Sequence, residues 1–366
     1  MKKVLLQRKD LDALVAAMSE GSVVYAPAAD GKDASGIPLH GTVFRPVRSA
    51  AEMSLEETNT RLSVKGVFFP QREVMMRIVG GRLAEDPAGD PAPGGSLVAF
   101  GVRPCDAKSL LFLDTVFSGS TAAPGNVRHE DPYYLERRRN SLVIALACDE
   151  PCESCFCTSV GGSPHGTEGA DILASWTDTA KAPGQARDGA MLLEAVTEKG
   201  EAFLEAHSRL FAPASHEAVR AREARAAAAA ARMRVLDLAG VKQKAEAAFE
   251  SPLWDAITRS CLGCGACTYL CPTCHCFDIT DETRGAAGVR LRSWDACQFP
   301  LYSLHASGHN PRPSRKSRMR QRIMHKYSYT VETAGMVSCS GCGRCVRLCP
   351  VNLDIRQMLA ALKEAP

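Results

Sequence analysis

Cys261, Cys264, Cys267 and Cys271, followed by Pro272, recur as Cys339, Cys342, Cys345 and Cys349, followed by Pro350. Each run reads C-x2-C-x2-C-x3-C-P, the spacing with which bacterial ferredoxins hold [4Fe–4S] clusters for one-electron transfer. Three thiolates in one tight loop can reach three corners of a cubane. Gly263 and Gly265, and later Gly341 and Gly343, let the backbone wind that closely. The fourth cysteine opens the next segment and ligates the other cluster. The predicted sets are therefore Cys261, Cys264, Cys267 and Cys349 for one cluster, and Cys339, Cys342, Cys345 and Cys271 for the second. Zinc sites share C-x2-C pairs, but a third cysteine at the same spacing followed by C-P is not a zinc pattern.

A second group of thiols lies far upstream: Cys148, Cys152, Cys155 and Cys157, with Cys105 before them. Five candidates exceed the four that one [4Fe–4S] cube needs, so a third cluster with one thiol to spare is expected, with zinc or buried free thiols as the alternatives. Spacing alone does not say which. Cys274, Cys276 and Cys297 remain. They read as small buried groups shielding the clusters, or with His275 as a further metal site.

The elements that must position these residues follow from apolar patterning. Leu11, Leu14, Val15 and Met18 recur at helical spacing, and residues 23–25 and 64–69 read as short β-rich runs. Residues 86–95, DPAGDPAPGG, read as a surface loop. Residues 97–102 are apolar, Asp106 suggests a helix N-cap, residues 107–117 are helical in pattern, and 141–147 are apolar again. A right-handed βαβ crossover makes the two strands parallel. Cys105 and Cys148 then fall just past the two strand ends, at the carboxyl edge where α/β folds place their sites. Alanine and arginine make 216–250 strongly helical.

Composition sets the outer bounds. Sixteen of the 366 residues are cysteine, five in 105–157 and eleven in 261–349. The N-terminal residues lack the apolar core of an export signal, and no apolar run approaches the roughly 20 residues of a membrane span. A cytoplasmic chain is expected, in which clustered cysteines mean metal ligation, not disulfides. A formal charge of +3 gives no global field for nucleic acid. Arg312, Arg315, Lys316, Arg318, Arg320, Arg322 and Lys326 form a basic run, read as a solvated helix face, as a docking surface for an acidic partner, or as charges that raise cluster potentials. His305, His309 and His325 read as hydrogen-bonding residues. No G-x-G-x-x-G follows a strand, so nothing points to a flavin or nicotinamide site in this chain.

Longer motifs then carry a resemblance. FGVRPCD (100–106), DPYY (131–134), CFCTS (155–159), CPTCHCFD (271–278), WDACQFPLYSLHASGHNPRP (294–313) and RMRQRIMHKYSY (318–329) together resemble one family. It comprises the iron–sulfur beta subunit of cytoplasmic [NiFe] sulfhydrogenases and the A subunit of anaerobic sulfite reductase. The resemblance implies a non-catalytic relay between a FAD-containing, NAD(P)H-oxidising subunit and a terminal catalytic subunit of hydrogenase, sulfite reductase or heterodisulfide-reductase type. It also implies that Cys152 is the spare, glycine being usual there in the family. Cys105, Cys148, Cys155 and Cys157 are left as ligands of the third cluster.

The expected architecture is an α+β N-terminal domain (1–215) with a short parallel βαβ unit, a helical connector (216–250), and a mainly α-helical dicluster ferredoxin-like domain (251–366) with a long insertion at 277–338. Two rival readings are a self-contained reductase with a substrate site at the N-terminal cluster, and an iron–sulfur nucleic-acid protein.

Overall fold

The computed structural model describes residues 1–31, 41–84, 95–121, 127–178, 187 and 189–365. The expected surface loop at 86–95 lies outside these residues except for Gly95. An eight-stranded mixed sheet organises the N-terminal half. Its order is Ala212–Pro213, Lys3–Leu6, Met191–Ala195, Ile172–Trp176, Ser141–Leu146, Ser96–Val102, Ser22–Ala29 and Thr42–Pro46. The neighbours from Ile172–Trp176 to Ser22–Ala29 run parallel, and the outer strands pair antiparallel.

Strand Ser141–Leu146 is buried throughout because both sheet faces are covered. Leu142, Ile144 and Leu146 face one core, where Leu14, Val15 and Met18 of helix Leu11–Ser19 pack. Val143, Ala145 and Ala147 face the other core, with Leu110 and Leu113 of helix Pro104–Phe117. The neighbouring strand slips register between Phe100 and Val102. Gly101 there adopts φ +76°, and a Cβ on it would stand 3.0 Å from Leu55. This bulge turns Val102 to the opposite core and aims the chain at the helix that begins with Pro104 and Cys105.

Three readings need correction. Residues 64–69 contain a short helix, Lys65–Phe68, not a strand. Arg103, not Asp106, caps helix Pro104–Phe117, because proline occupies its first position and Asp106 lies inside the first turn. The C-terminal part is also not mainly helical. Within the insertion, Phe277–Arg284 and Ala287–Trp294 form a hairpin that joins Arg72–Val79 and Arg82–Leu83 in a second, four-stranded antiparallel sheet. Trp294 packs under it on Phe69, with ring centroids 5.8 Å apart, and donates its indole N–H to the Phe69 carbonyl at 3.0 Å. Burial of that indole is what a helical reading of the insertion left out.

Around the sheets, helix His216–Ala231 lies against the first one, with Arg225 donating to the Thr177 carbonyl. Helices Val241–Ala247, Leu253–Thr258, Arg315–Met324 and Ile355–Glu364 enclose a third core of Trp254, Met319, Ile323, Tyr327, Met358 and Leu362. One wide π turn, His325–Tyr329, continues helix Arg315–Met324. Among the described residues, no helix is long and apolar enough to cross a membrane.

Candidate metal centres

Cys261, Cys264, Cys267 and Cys349 line one cavity. Cys349 of the second run thus meets the three thiols of the first, and Cys345 lines the same cavity. Gly265 is required where the loop turns. It holds φ +76°, and a Cβ would lie 2.7 Å from the Phe299 ring. Apolar side chains close the floor, among them Met319, Ile355 and Met358, with Arg322 as the lone charge and Cys345 in the shared wall. Cys264 is exposed.

Cys345 belongs to the second predicted set. Its thiol is pushed well up by burial and by the proximity of Cys342, Cys339 and Cys271, against the opposing pull of Arg322. Cys271 moves the other way, helped first by a hydrogen bond from Cys274, then by Lys326 and Arg322. Lys326 donates to Cys271 Sγ at 3.3 Å, to Thr273 Oγ1 at 3.0 Å and to the Ser338 carbonyl at 2.7 Å.

The upstream thiols meet at the carboxyl edge of the first sheet. Cys105, Cys148, Cys155 and Cys157 line a cavity with Gly341 and Cys342 of the second ferredoxin run. Burial raises the Cys148 thiol to about 12 and the Cys157 thiol to about 11. Bare thiolates are therefore costly in this cavity, and metal would have to displace the protons. Cys152 stands outside this lining. Its Sγ accepts a hydrogen bond from Arg347 Nη1 at 3.0 Å. It is held below the ordinary thiol range, first by a hydrogen bond from Cys155 and also by the Arg347 guanidinium.

The two regions touch backbone to backbone. Phe156 donates its amide to the Gly341 carbonyl at 2.8 Å, and Cys155 Sγ lies 3.4 Å from the Cys342 carbonyl. A Cβ on Gly341 would fall 2.5 Å from Cys157 N and Cα, and one on Gly343 would fall 2.7 Å from the Ser154 carbonyl group. These glycines serve that close approach as much as the loop turn.

The donor chemistry fits iron–sulfur clusters on an observation independent of spacing. Arg322 and Lys326 are buried, at 4% and 3% exposure. Among the described residues no ion pair joins either to a carboxylate. Arg322 Nη1 donates to Cys274 Sγ at 3.4 Å, and its Nη2 has no partner. Buried cations without carboxylates need another anion, and cysteine-ligated clusters supply one. Sequence reading placed both residues in a basic run without their direction. Their spacing with Arg318, at i, i+4 and i+8 beside Met319 and Ile323, was the available signal for an inward face. Lys65 was missed. It is also buried, donates to the Cys274 carbonyl at 2.9 Å and stacks on Trp294 at 3.8 Å, and burial lowers it to about 8.

Of the remaining thiols, Cys274 is buried beside Arg322, and Cys297 accepts from Gln298 Nε2 at 3.5 Å. His275 contacts the Thr273 carbonyl through Nδ1 at 3.1 Å and packs 5.6 Å from the His325 ring. Burial pushes the two imidazoles down, to about 4 and about 3, so both are neutral. His305 and His309 pair through their backbones at 2.8 Å. Among the described residues, no three His, Cys, Asp or Glu side chains gather as tightly as a single ion would require.

Comparison with known proteins supports [4Fe–4S] clusters in this chain. The 4Fe-4S dicluster domain family matches residues 260–353, a span that takes in both ferredoxin runs and the hairpin between them. Over 323 residues, 88% of this chain and 89% of the relative, the sequence is 33% identical to sulfhydrogenase 2 subunit beta of Pyrococcus furiosus. A match of that length extends well into the N-terminal half that carries the upstream thiols. The chain belongs to the family of iron–sulfur beta subunits of sulfhydrogenases.

Proposed function

We propose that this electron-transfer subunit holds three [4Fe–4S] clusters in line and relays electrons between a flavin-containing NAD(P)H-oxidising subunit and a terminal subunit of hydrogenase type. The sets would be Cys105, Cys148, Cys155 and Cys157 at one end, then Cys271, Cys339, Cys342 and Cys345, then Cys261, Cys264, Cys267 and Cys349. One observation carries the order: Cys342 stands in the wall of the upstream cavity, and Cys345, three residues on, stands in the wall of the far one. On that reading the second set would lie between the other two.

Each cluster cycles by a single electron, which lets a row of them divide the two-electron equivalent of a hydride. The chain's own residues fix position and charge. Gly341 and Gly343 permit the seam to close, and Arg322 and Lys326 offset thiolate charge where water is excluded. Cys264, exposed at one end, marks a contact point for a partner.

Iron and acid-labile sulfide analysis of the anaerobically purified chain tests the count: about 12 Fe per chain is expected, and about 8 would remove the third cluster. The separate chain, given NAD(P)H, sulfite or hydrogen, should show no turnover. Turnover would favour a self-contained reductase over the relay.

A further inference from the structure

We infer that Arg322 is a shared electrostatic partner of the first and second cysteine sets and sets the potentials of both clusters together. The inference rests on the two dicluster sets proposed above. Arg322 lines the cavity of Cys261, Cys264, Cys267 and Cys349, in the wall that also contains Cys345. Its electrostatic neighbours come from both sets: Cys267 from the first, Cys271 and Cys345 from the second, with Cys274 beside them. Helix Arg315–Met324 delivers it from one side, with Met319 and Ile323 packed in the core to hold the helix in place.

The local ledger of charge is one-sided. Among other buried arginines, Arg292 bonds Glu73 and Asp131 and Arg344 bonds Asp106, while Arg318 donates to the Arg312 and Pro313 carbonyls. Arg322 instead meets sulfur through Nη1, and its Nη2 is buried with no protein partner. A fixed positive charge stabilises the more negative, reduced state of whatever cluster it faces, and the effect is strong where solvent screening is weak. Positioned between two sets, one guanidinium acts on both. Lys326 provides the internal contrast, since among the described residues the thiol it hydrogen-bonds is Cys271 of the second set, with Cys274 and Cys339 as its other thiol neighbours.

The test uses the full chain, reconstituted anaerobically, with iron measured before any titration. EPR-monitored redox titration of R322Q should show iron retained and both dicluster midpoints moved to lower potential, with the third midpoint unchanged. R322K keeps the charge and should return both midpoints most of the way. K326Q should lower one midpoint, that of the second set. Retained iron with one or neither midpoint moved in R322Q overturns the inference, as does K326Q lowering both equally. Should R322Q fail to hold iron, R322K decides: its two midpoints must shift together, and a shift at one alone overturns the idea. Wild-type protein with fewer than about 8 Fe would instead undo the dicluster assignment itself.

Discussion

Arg344 reaches Asp106 through two hydrogen bonds of 2.5 and 2.7 Å, and both side chains are sealed from solvent. Asp106 follows Cys105 in the chain, and Arg344 lies between Cys342 and Cys345. One buried ion pair therefore ties the upstream thiols to the second ferredoxin run. Arg344 also donates to the Thr60 carbonyl at 2.7 Å and to Thr60 Oγ1 at 3.0 Å, so four of its five N–H donors are engaged. Removing one partner of a buried pair strands the other charge, at about 3–5 kcal/mol. Arg344→Met should lower stability by that amount in anaerobic urea unfolding, and the double variant with Asp106→Leu should recover part of it. A single variant within about 0.5 kcal/mol of wild type would show that the pair does not join the two regions.

The seam beside that pair makes a second prediction. Gly341 sits at φ +65° with the Cys157 backbone 2.5 Å from where a Cβ would be. Neither side can move cheaply, because both are backbone and both hold thiols in place. Gly341→Ala should therefore cost the second and third sets together, leaving the first. Iron should fall from about 12 to about 4 per chain. Full iron content in the purified variant would mean that the seam can open without loss.

How much of this was legible beforehand depended on whether the signal was local. The meeting of Cys349 with Cys261, Cys264 and Cys267 in one cavity was readable because the ligand rule is a spacing rule. Position at a strand end likewise brought Cys105 and Cys148 to one sheet edge. The hairpin of the insertion was not readable as a strand pair. Phe277–Arg284 is exposed along its length and apolar only at Phe277 and Ile279, so its strand state depends on pairing with Ala287–Trp294 and, through it, on Arg72–Val79 some two hundred residues away. Asp106 looked like a cap because its type suits one. Its actual partner, Arg344, is fixed by tertiary packing that no local window contains.

Cys152 and Cys155 separate by substitution. Cys155 lines the upstream cavity with Cys105, Cys148 and Cys157, whereas Cys152 is turned toward Arg347. Cys152→Ser should keep about 12 Fe per chain, and Cys155→Ser should fall toward about 8. The reverse pattern would make Cys152 the ligand and Cys155 the spare.

Away from every thiol, Tyr134 gives the fold a pH signature. Its hydroxyl donates to Asp114 Oδ1 at 2.8 Å, and its ring stacks on Phe117 with centroids 4.5 Å apart. Burial first, and then the Asp114 carboxylate, hold the phenol well above its ordinary value of 10. Because the folded value is the higher one, the folded chain keeps a proton that the unfolded chain has released. Stability from the neutral phenol is complete below the unfolded value and is lost as pH rises through it toward the folded value, by up to ~1.4 kcal/mol per pH unit. Tyr134→Phe removes that dependence. Near neutrality it should cost about 1 kcal/mol for the missing hydrogen bond. Above about pH 10 the wild type should lose stability faster than the variant, so the gap in anaerobic thermal unfolding narrows and then reverses. A gap that stays constant from about pH 8 to about pH 11 would mean that the folded phenol titrates as freely as the unfolded one.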